Sequence, residues 1–357
     1  MYHKITNMDT LINAHKNAMK GKKHYKEVKD MQGYEQYYLK ELQNRLVNQT
    51  YKTSEYTIEK INDDGKERII YKLPYFPDRI AQWAIMLIIE PMLKEKLILD
   101  TYSAIPNRGI HFGLKRLHKS MEDKEETKYC LKLDIKKYYP SINHSILKNI
   151  YRKIFKDPKL LWLLDEIVDS TKGEIGLPDM RECDVATDIG IPIGNYISQW
   201  SGNIYLAYFD HWCKETLKCK HYFRYMDDVV ILHKNKKHLH SIKRKLDKYL
   251  KNNLDLTIKG NWQVFPTYKR GVDFLGYRSF GDYTLLRKST AKKFKRKMRN
   301  INKKERINFN DYCSINSYLG WLKWCNSYNL KQKYIKPLKD KILNYENRNN
   351  IKNKTKI

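Results

Sequence analysis

The sequence predicts an α+β chain, helical at both ends with its strands gathered in the middle. Three observations carry this. Residues 8–47 are rich in long charged side chains, poor in β-branched ones and free of proline. Short apolar runs of strand character, CLKLDI, YFRYMDDVVILHK and VDFLGYRSF, lie between 130 and 280. Everything after Lys288 has helical spacing and is strongly basic. With 357 residues, the chain can form two or three packed subdomains.

The elements follow in order. After the first helices, YTIEKINDDGKERIIYKLPY (56–75) alternates about an Asp-Asp-Gly turn and reads as a hairpin. Asp78 to Lys96 reads as a buried helix, with Ile80, Trp83, Ala84, Leu87, Ile88 and Met92 at helical spacing. Asn107-Arg108-Gly109 is a turn and His111 to Met121 a helix. CLKLDI (130–135) is a short strand bearing Asp134 near its end, and YYPSINHS turns into a helix through Ile150. Residues 169–190 are polar and glycine-bearing, a loop or ribbon. Ile197 to Cys213 is a helix, 222–234 a strand–turn–strand, 235–253 a basic amphipathic helix and 272–280 a strand pair. No fixed-period repeat is present.

Charge bounds the function. Lys plus Arg number 70 against 40 Asp plus Glu, a formal net charge of +30. Compositional bias toward Lys, Asn, Ile and Tyr could raise lysine, but it does not account for so large an excess over acids. A polyanionic partner does, nucleic acid before an acidic membrane surface. No apolar run approaches the roughly 20 residues of a membrane span. The N-terminal stretch has no uninterrupted apolar segment of the secretory kind, so cytoplasmic placement is expected. The cysteines, Cys130, Cys183, Cys213, Cys219, Cys313 and Cys325, form no CxxC pair and read as reduced core thiols. No histidine has metal-ligand spacing; His111, His118 and His144 read as surface or satisfied helix residues.

Two strand-associated acidic sites dominate. Asp134 ends its strand, and Asp227-Asp228 stand at the turn of Arg-Tyr-Met-Asp-Asp-Val-Val. Adjacent acids among apolar neighbours repel one another in a partly dry setting. Divalent cations relieve that repulsion, and Mg²⁺ prefers hard carboxylate oxygens together with substrate phosphates. Two such ions can activate an attacking oxygen and stabilise a leaving one in phosphoryl transfer. The competing reading is a hairpin whose turn merely happens to be Asp-Asp.

Tyr225-Met226-Asp227-Asp228 between two apolar strands resembles the YxDD catalytic hairpin of reverse transcriptases. Asp134 followed by Ile-Lys-Lys-Tyr-Tyr-Pro-Ser-Ile resembles that family's first catalytic strand. The resemblance implies a right-hand polymerase fold with fingers, palm and helical thumb. The expected boundaries are 1–125 for N-terminal helices and fingers, 126–282 for the palm with finger insertions, 283–345 for the thumb, and 346–357 for a disordered basic tail. It implies an RNA-directed DNA polymerase holding two Mg²⁺ ions, with Mn²⁺ as a substitute, on Asp134, Asp227, Asp228 and the backbone of Ile135. Lys66 and Arg68, on the finger hairpin, resemble the basic pair that grips the triphosphate. Tyr139 falls where the family places its steric gate against a ribose 2′-OH. Asp78-Arg79-Ile80, Glu90-Pro91, Tyr102-Ser103 and Asn107-Arg108-Gly109 resemble further blocks, with Arg108 on the template side. Phe274-Leu275-Gly276-Tyr277-Arg278 resembles the primer grip, centred on Leu275 and Gly276.

One block narrows the family. Ile193-Gly194-Asn195-Tyr196-Ile197-Ser198-Gln199 stands where most reverse transcriptases carry Gln-Gly-x-x-x-Ser-Pro. The IGNxxSQ form resembles the enzymes of diversity-generating retroelements, prokaryotic or phage-encoded, which copy a template RNA with errors at adenine. An amide at 193 could penalise a misfit; Ile193 cannot, so discrimination should weaken. Gly194 would let the backbone approach the nucleotide, and Ser198 and Gln199 would face nucleic acid. The resemblance also implies a small basic helical accessory protein as a partner beside template RNA, cDNA and dNTPs. The rival within the family is an anti-phage defence reverse transcriptase, protein-primed or untemplated.

Between Arg287 and Arg306, eleven of twenty residues are Lys or Arg, against one acid, Glu305. On a helix this makes a cationic stripe able to track a template–primer duplex through Arg287, Lys288, Lys292, Lys295, Arg296 and Arg299, with Phe294, Met298 and Ile301 turned inward. Trp321, Trp324 and Tyr328 read as thumb core.

Overall fold

The computed structural model describes residues 1–63, 66–171 and 188–349, with the backbone alone at 63, 66 and 68. The basic tail from 350 onward, Cys183 and most of the 169–190 segment lie outside the described residues. The chain divides into two compact units. The first comprises Met1–Asn107, Leu133–Val229 and Ser241–Trp262; the second comprises Arg108–Lys132, Val230–His240 and Gln263 onward.

The first unit opens with helices α1 (Tyr2–Ile5), α2 (Met8–Ala18), α3 (Lys26–Asp30) and α4 (Glu35–Val47). Strands β1 (Thr57–Asp63) and β2 (Lys66–Lys72) then pair antiparallel in the expected hairpin, Thr57 opposite Lys72 and Asp63 opposite Lys66. A turn over Tyr75–Arg79 leads into α5 (Ile80–Glu95), which packs against α1 and α2.

The helix at 78–96 forms, but on a different face from the one its spacing suggested. Ala81, Ile85, Met86, Ile89 and Leu93 are buried with Ile80 and Ala84, while Leu87 is 36% exposed. α5 is apolar nearly all round, so its periodicity names no unique inward side and neighbouring helices choose one.

The second unit begins with α6 (Ile110–Met121), and strand β3 (Tyr129–Asp134) follows. Back in the first unit, which the chain re-enters at Leu133, come α7 (His144–Ile154) and α8 (Pro158–Asp169). α8 was missed from sequence, although its signals are local. Asp157 accepts from the backbone N–H of Lys159 and Leu160, and Pro158 fills the first turn. The stretch 197–213 is broken into α9 (Tyr196–Tyr205) and α10 (Ala207–His211). α9 packs on α5 and α7.

β4 (His221–Tyr225) and β5 (Asp228–His233) form the acidic hairpin, and α11 (Lys236–Leu254) follows. The central sheet has the order β4-β5-β3-β6, β6 being Gln263–Pro266. β6 also escaped the sequence reading; it pairs antiparallel with β3, Tyr129 opposite Pro266 and Lys132 opposite Gln263.

After the short α12 (Thr267–Arg270), β7 (Val272–Phe274), β8 (Tyr277–Ser279) and β9 (Thr284–Leu286) make a three-stranded sheet. Helices α13 (Lys288–Asn302), α14 (Phe309–Leu322), α15 (Tyr328–Tyr334) and α16 (Lys339–Arg348) end the described chain. α13 buries Phe294, Met298 and Ile301 against α14 and α15, as its apolar spacing required. Tyr328 is not core; it is 73% exposed. Cys313 is exposed too, whereas Cys130, Cys213 and Cys219 are buried thiols. Among the described residues no helix is long and apolar enough to cross a membrane.

Candidate active site

Three backbone segments of the first unit meet at the carboxylates. Asp134 ends β3, and the amide of Ile135 donates to the Asp227 carbonyl at 3.3 Å. On the other side, the Lys259 amide donates to the Asp134 carbonyl at 2.8 Å and the Lys136 amide to Thr257 at 2.8 Å. The chain leaving α11 thus returns alongside 134–136, with Ile135 bridging Ile258.

This register brings the Asp134 and Asp227 carboxyls together. The Asp227 carboxyl is pushed up to about 7, first by burial and then by hydrogen bonding to and repulsion from Asp134. Lys259 partly offsets this: its Nζ lies 2.9 Å from Asp134 Oδ1 and 4.0 Å from Asp227 Oδ2. Asp228 opens β5 as the next residue. Among the described residues, no three His, Cys, Asp or Glu side chains converge as a ready-made metal-holding group. The chemistry of the donors still fits a hard divalent cation: acidic oxygens crowded closely enough to retain a proton.

The hairpin turn is strained and held from within. Met226 sits at φ 52°, in the left-handed region that costs a side-chain-bearing residue on the order of 1–3 kcal/mol. Arg224, fully buried, donates to the Met226 carbonyl at 3.0 Å and to the Asn203 carbonyl at 3.1 Å. Its charge is met by Asp210, also fully buried, through Nε–Oδ1 at 2.7 Å and Nη2–Oδ2 at 2.6 Å. Tyr222 and Thr101 donate to the same carboxylate at 2.5 and 3.1 Å. Sequence reading quoted Arg224 without assigning it. Its signal was a cation within a short strand of otherwise apolar and aromatic character, nearly every position of which is buried and where only a paired charge survives.

Tyr139 lies over the same turn, its hydroxyl 3.5 Å from Met226 Sδ. Burial first, and then the Asp227 charge, raise its phenol above the usual range. Gly202 on α9 lies beside both Tyr138 and Tyr139. Ile193 is half-buried, and its carbonyl accepts from the Tyr71 amide of β2 at 2.9 Å. Gly194, at φ 130°, is pressed against that strand: a Cβ there would stand 2.4 Å from the Tyr71 carbonyl oxygen. The close approach seen at Gly194 is therefore to the β1–β2 hairpin. Asn195 leaves its helix-capping role and donates to Tyr56 at 2.9 Å, while Gln82 accepts from the Tyr196 amide at 3.0 Å instead. Ser198 is buried and Gln199 exposed. Lys66 and Arg68 occupy β2, and their side chains lie outside the described residues.

In the second unit, Leu275 and Gly276 are the two turn residues between β7 and β8, at φ 54° and 83°. A Cβ on Gly276 would meet the Trp321 ring at 2.6 Å. Arg287 is engaged by Asp273 at 2.5 Å, and Arg299 by the Tyr334 hydroxyl at 3.1 Å. Lys288, Lys292 and Arg296 are exposed, and Lys295 and Arg108 partly so. Of the three histidines, His111 stacks on Trp324 and His118 bonds Thr284, while His144, buried, bonds the Gly190 carbonyl through Nε2 and leaves its buried Nδ1 without a hydrogen bond, 3.8 Å from Asp169 Oδ1.

The family profile described as reverse transcriptase (RNA-dependent DNA polymerase) matches residues 58–279, more than half of the chain. The chain belongs to the reverse transcriptase family. The match spans the β1–β2 hairpin, Asp134, the acidic hairpin and the β7–β8 turn. It thereby supports the right-hand fold inferred from the motifs.

This reverse transcriptase chain is 24% identical over 240 residues to Protein YkfC of Escherichia coli strain K12, covering 58% of this chain and 61% of that protein. It thus spans about three fifths of that relative's length. Among solved structures it is similar to the telomerase of Candida albicans in complex with a fragment of telomeric RNA. That likeness has 13% identity, 71% of this chain, 52% of the other and a TM-score of 0.49. The apo telomerase of Candida tropicalis gives 12%, 69%, 50% and 0.49.

Proposed function

We propose that this chain is an RNA-directed DNA polymerase that extends a primer on a template RNA. The observation that carries the reading is the pairing of Asp134 with Asp227 at a buried hairpin turn beside Lys259. Asp134, Asp227, Asp228 and the Ile135 carbonyl would hold two Mg²⁺ ions, or Mn²⁺ in their place. When bound, such ions supply Lewis acidity to the attacking and leaving oxygens of phosphoryl transfer.

The chain's own groups do the rest. Tyr139 presents a ring edge where a ribose 2′-OH would clash, favouring deoxynucleotides. Lys66 and Arg68 neutralise the triphosphate from the hairpin, and Leu275 and Gly276 seat the primer end. The basic face of α13 tracks the duplex through phosphate contacts.

The finer reading is an enzyme of the diversity-generating type, resting on Ile193, Gly194, Asn195, Ser198 and Gln199. The hydrogen bond of the Ile193 carbonyl to Tyr71 supports it, because residue 193 is then held against the finger hairpin and an aliphatic side chain there offers a nucleotide no amide. Primer extension with dNTPs on an RNA template tests the activity. Asp227→Asn should abolish it, and retention of more than a trace would remove the assignment.

A further inference from the structure

The turn Tyr75–Arg79 gathers aromatic rings and cations from three stretches distant in sequence, all in the first unit. Phe76 meets the ring of Tyr38 at 5.0 Å, and Tyr38 meets Tyr37 at 5.6 Å. The Arg45 guanidinium lies 5.7 Å over the Phe76 ring. On the other flank, Tyr25 is within electrostatic reach of Arg79 and of Lys72 at the end of β2. The Lys22 ammonium stands 4.4 Å from the Tyr25 ring centroid, and His24 meets that ring edge-on at 4.6 Å.

These rings are not core. Tyr25 is 45% exposed, Tyr37 69% and the nearby Tyr34 67%. Several large rings left in water on one face mark an interaction surface rather than a packing requirement. Four of the local acids are already engaged: Glu27 accepts from the Tyr75 amide, Glu35 accepts from the Gly33 amide, Glu59 pairs with Lys72, and Glu41 pairs with Arg45. Residues 20–30 carry five lysines against Glu27 and Asp30. Rings interleaved with cations suit a flexible polyanion bearing flat bases. Protein-docking patches share aromatic rings but are depleted in lysine, which is dense here.

We propose that Tyr25, Tyr37, Tyr38 and Phe76, with Lys22 and the exposed Lys23 and Lys26 that flank Tyr25, form a binding surface for single-stranded RNA, bases stacking on the rings and phosphates on the cations. None of its residues is among those assigned to the carboxylate site. The proposal shares with the polymerase reading only that the polyanion is RNA, and its test needs neither primer nor dNTP, so either can fail alone.

The test is fluorescence anisotropy of the full chain with a labelled uridine oligomer of about 20 nucleotides, across a salt series. Tyr25→Ala and Tyr37→Ala should each weaken binding about tenfold, while Tyr25→Phe and Tyr37→Phe, which keep the ring, hold the parental affinity. Lys22→Gln should lower the slope of log affinity against log salt by about one. Unfolding curves matching the parent establish that the exposed substitutions leave the fold intact. Parental affinity in both alanine variants overturns the proposal, as does equal loss in the phenylalanine variants. Crosslinks from 4-thiouridine RNA should map to 22–45 and 72–79; crosslinks confined to 287–306 overturn it. Alanine variants that lose a protein partner while keeping RNA affinity also overturn it.

Discussion

Arg224 and Asp210 form a two-point ion pair with no solvent exposure, and the same guanidinium donates to the carbonyl of Met226, the strained residue before Asp227. The pair ties the position of the carboxylate proposed for catalysis to a charge network inside the protein. Removing one partner leaves the other buried and unmatched, which costs about 3–5 kcal/mol. Asp210→Asn should therefore lower the urea midpoint strongly. Arg224→Met, close in volume, should also lose the hold on Met226, so kcat for primer extension falls further than the loss of folded protein explains. An Arg224→Met enzyme with parental kcat would show that the turn holds itself.

Asp227 makes stability depend on pH. Its folded-state pKa is about 7, above the unfolded carboxyl value, so between these pH values the native state binds more protons than the unfolded state. Stability from this group is then fully present at low pH and lost as pH rises toward 7 and beyond. In metal-free buffer Asp227→Asn should be more stable than the parent at pH 8. The gain is about 1–2 kcal/mol, discounted because the side chain is partly exposed, and the gap closes below about pH 4. Added Mg²⁺ should raise the parent's melting temperature more than the variant's. Denaturant curves at several pH values measure both effects.

Two glycines should respond in opposite directions. Gly194→Ala drives a Cβ into the Tyr71 carbonyl at a backbone angle that alanine resists, and should cost about 2–3 kcal/mol. Gly202→Ala, inside α9, meets only ordinary contacts with Tyr138 and Tyr139 at 3.4–3.5 Å. Helix propensity then makes it neutral or stabilising by up to about 1 kcal/mol. Thermal unfolding of the two variants decides this; equal losses would refute the steric account.

Ile193→Gln should raise fidelity opposite template adenine with little change in stability, because residue 193 is half-buried and its backbone bond to Tyr71 is kept. Sequencing cDNA from the two enzymes checks it, and identical error spectra would remove Ile193 from the account of fidelity.

Legibility in the sequence followed the range of the interactions. The hairpin at 57–72, the strand ending at Asp134 and the acidic turn are written in alternation and turn residues, and each formed where expected. The inward face of α5 was misread because an apolar residue at nearly every position gives periodicity nothing to select. α8 was overlooked although Asp157 and Pro158 announce it. β6 spans four residues and gains its meaning only from pairing with β3.

The sequence alone determined the chemistry: an acid ending one strand, two at a strand turn, and an excess of cations for a polyanion. Residue type and local spacing set those features, and they survive without knowledge of long-range contacts. Tertiary structure decided what surrounds them. Lys259 reaches Asp134 because the chain returns antiparallel 125 residues later. Gly194 is required by a strand that precedes it by more than a hundred residues. Tyr25, Tyr38 and Phe76 share one surface because helices and a turn far apart in sequence pack together. Such contacts carry no local signature, since the free energy that selects them is the burial of whole element faces against one another.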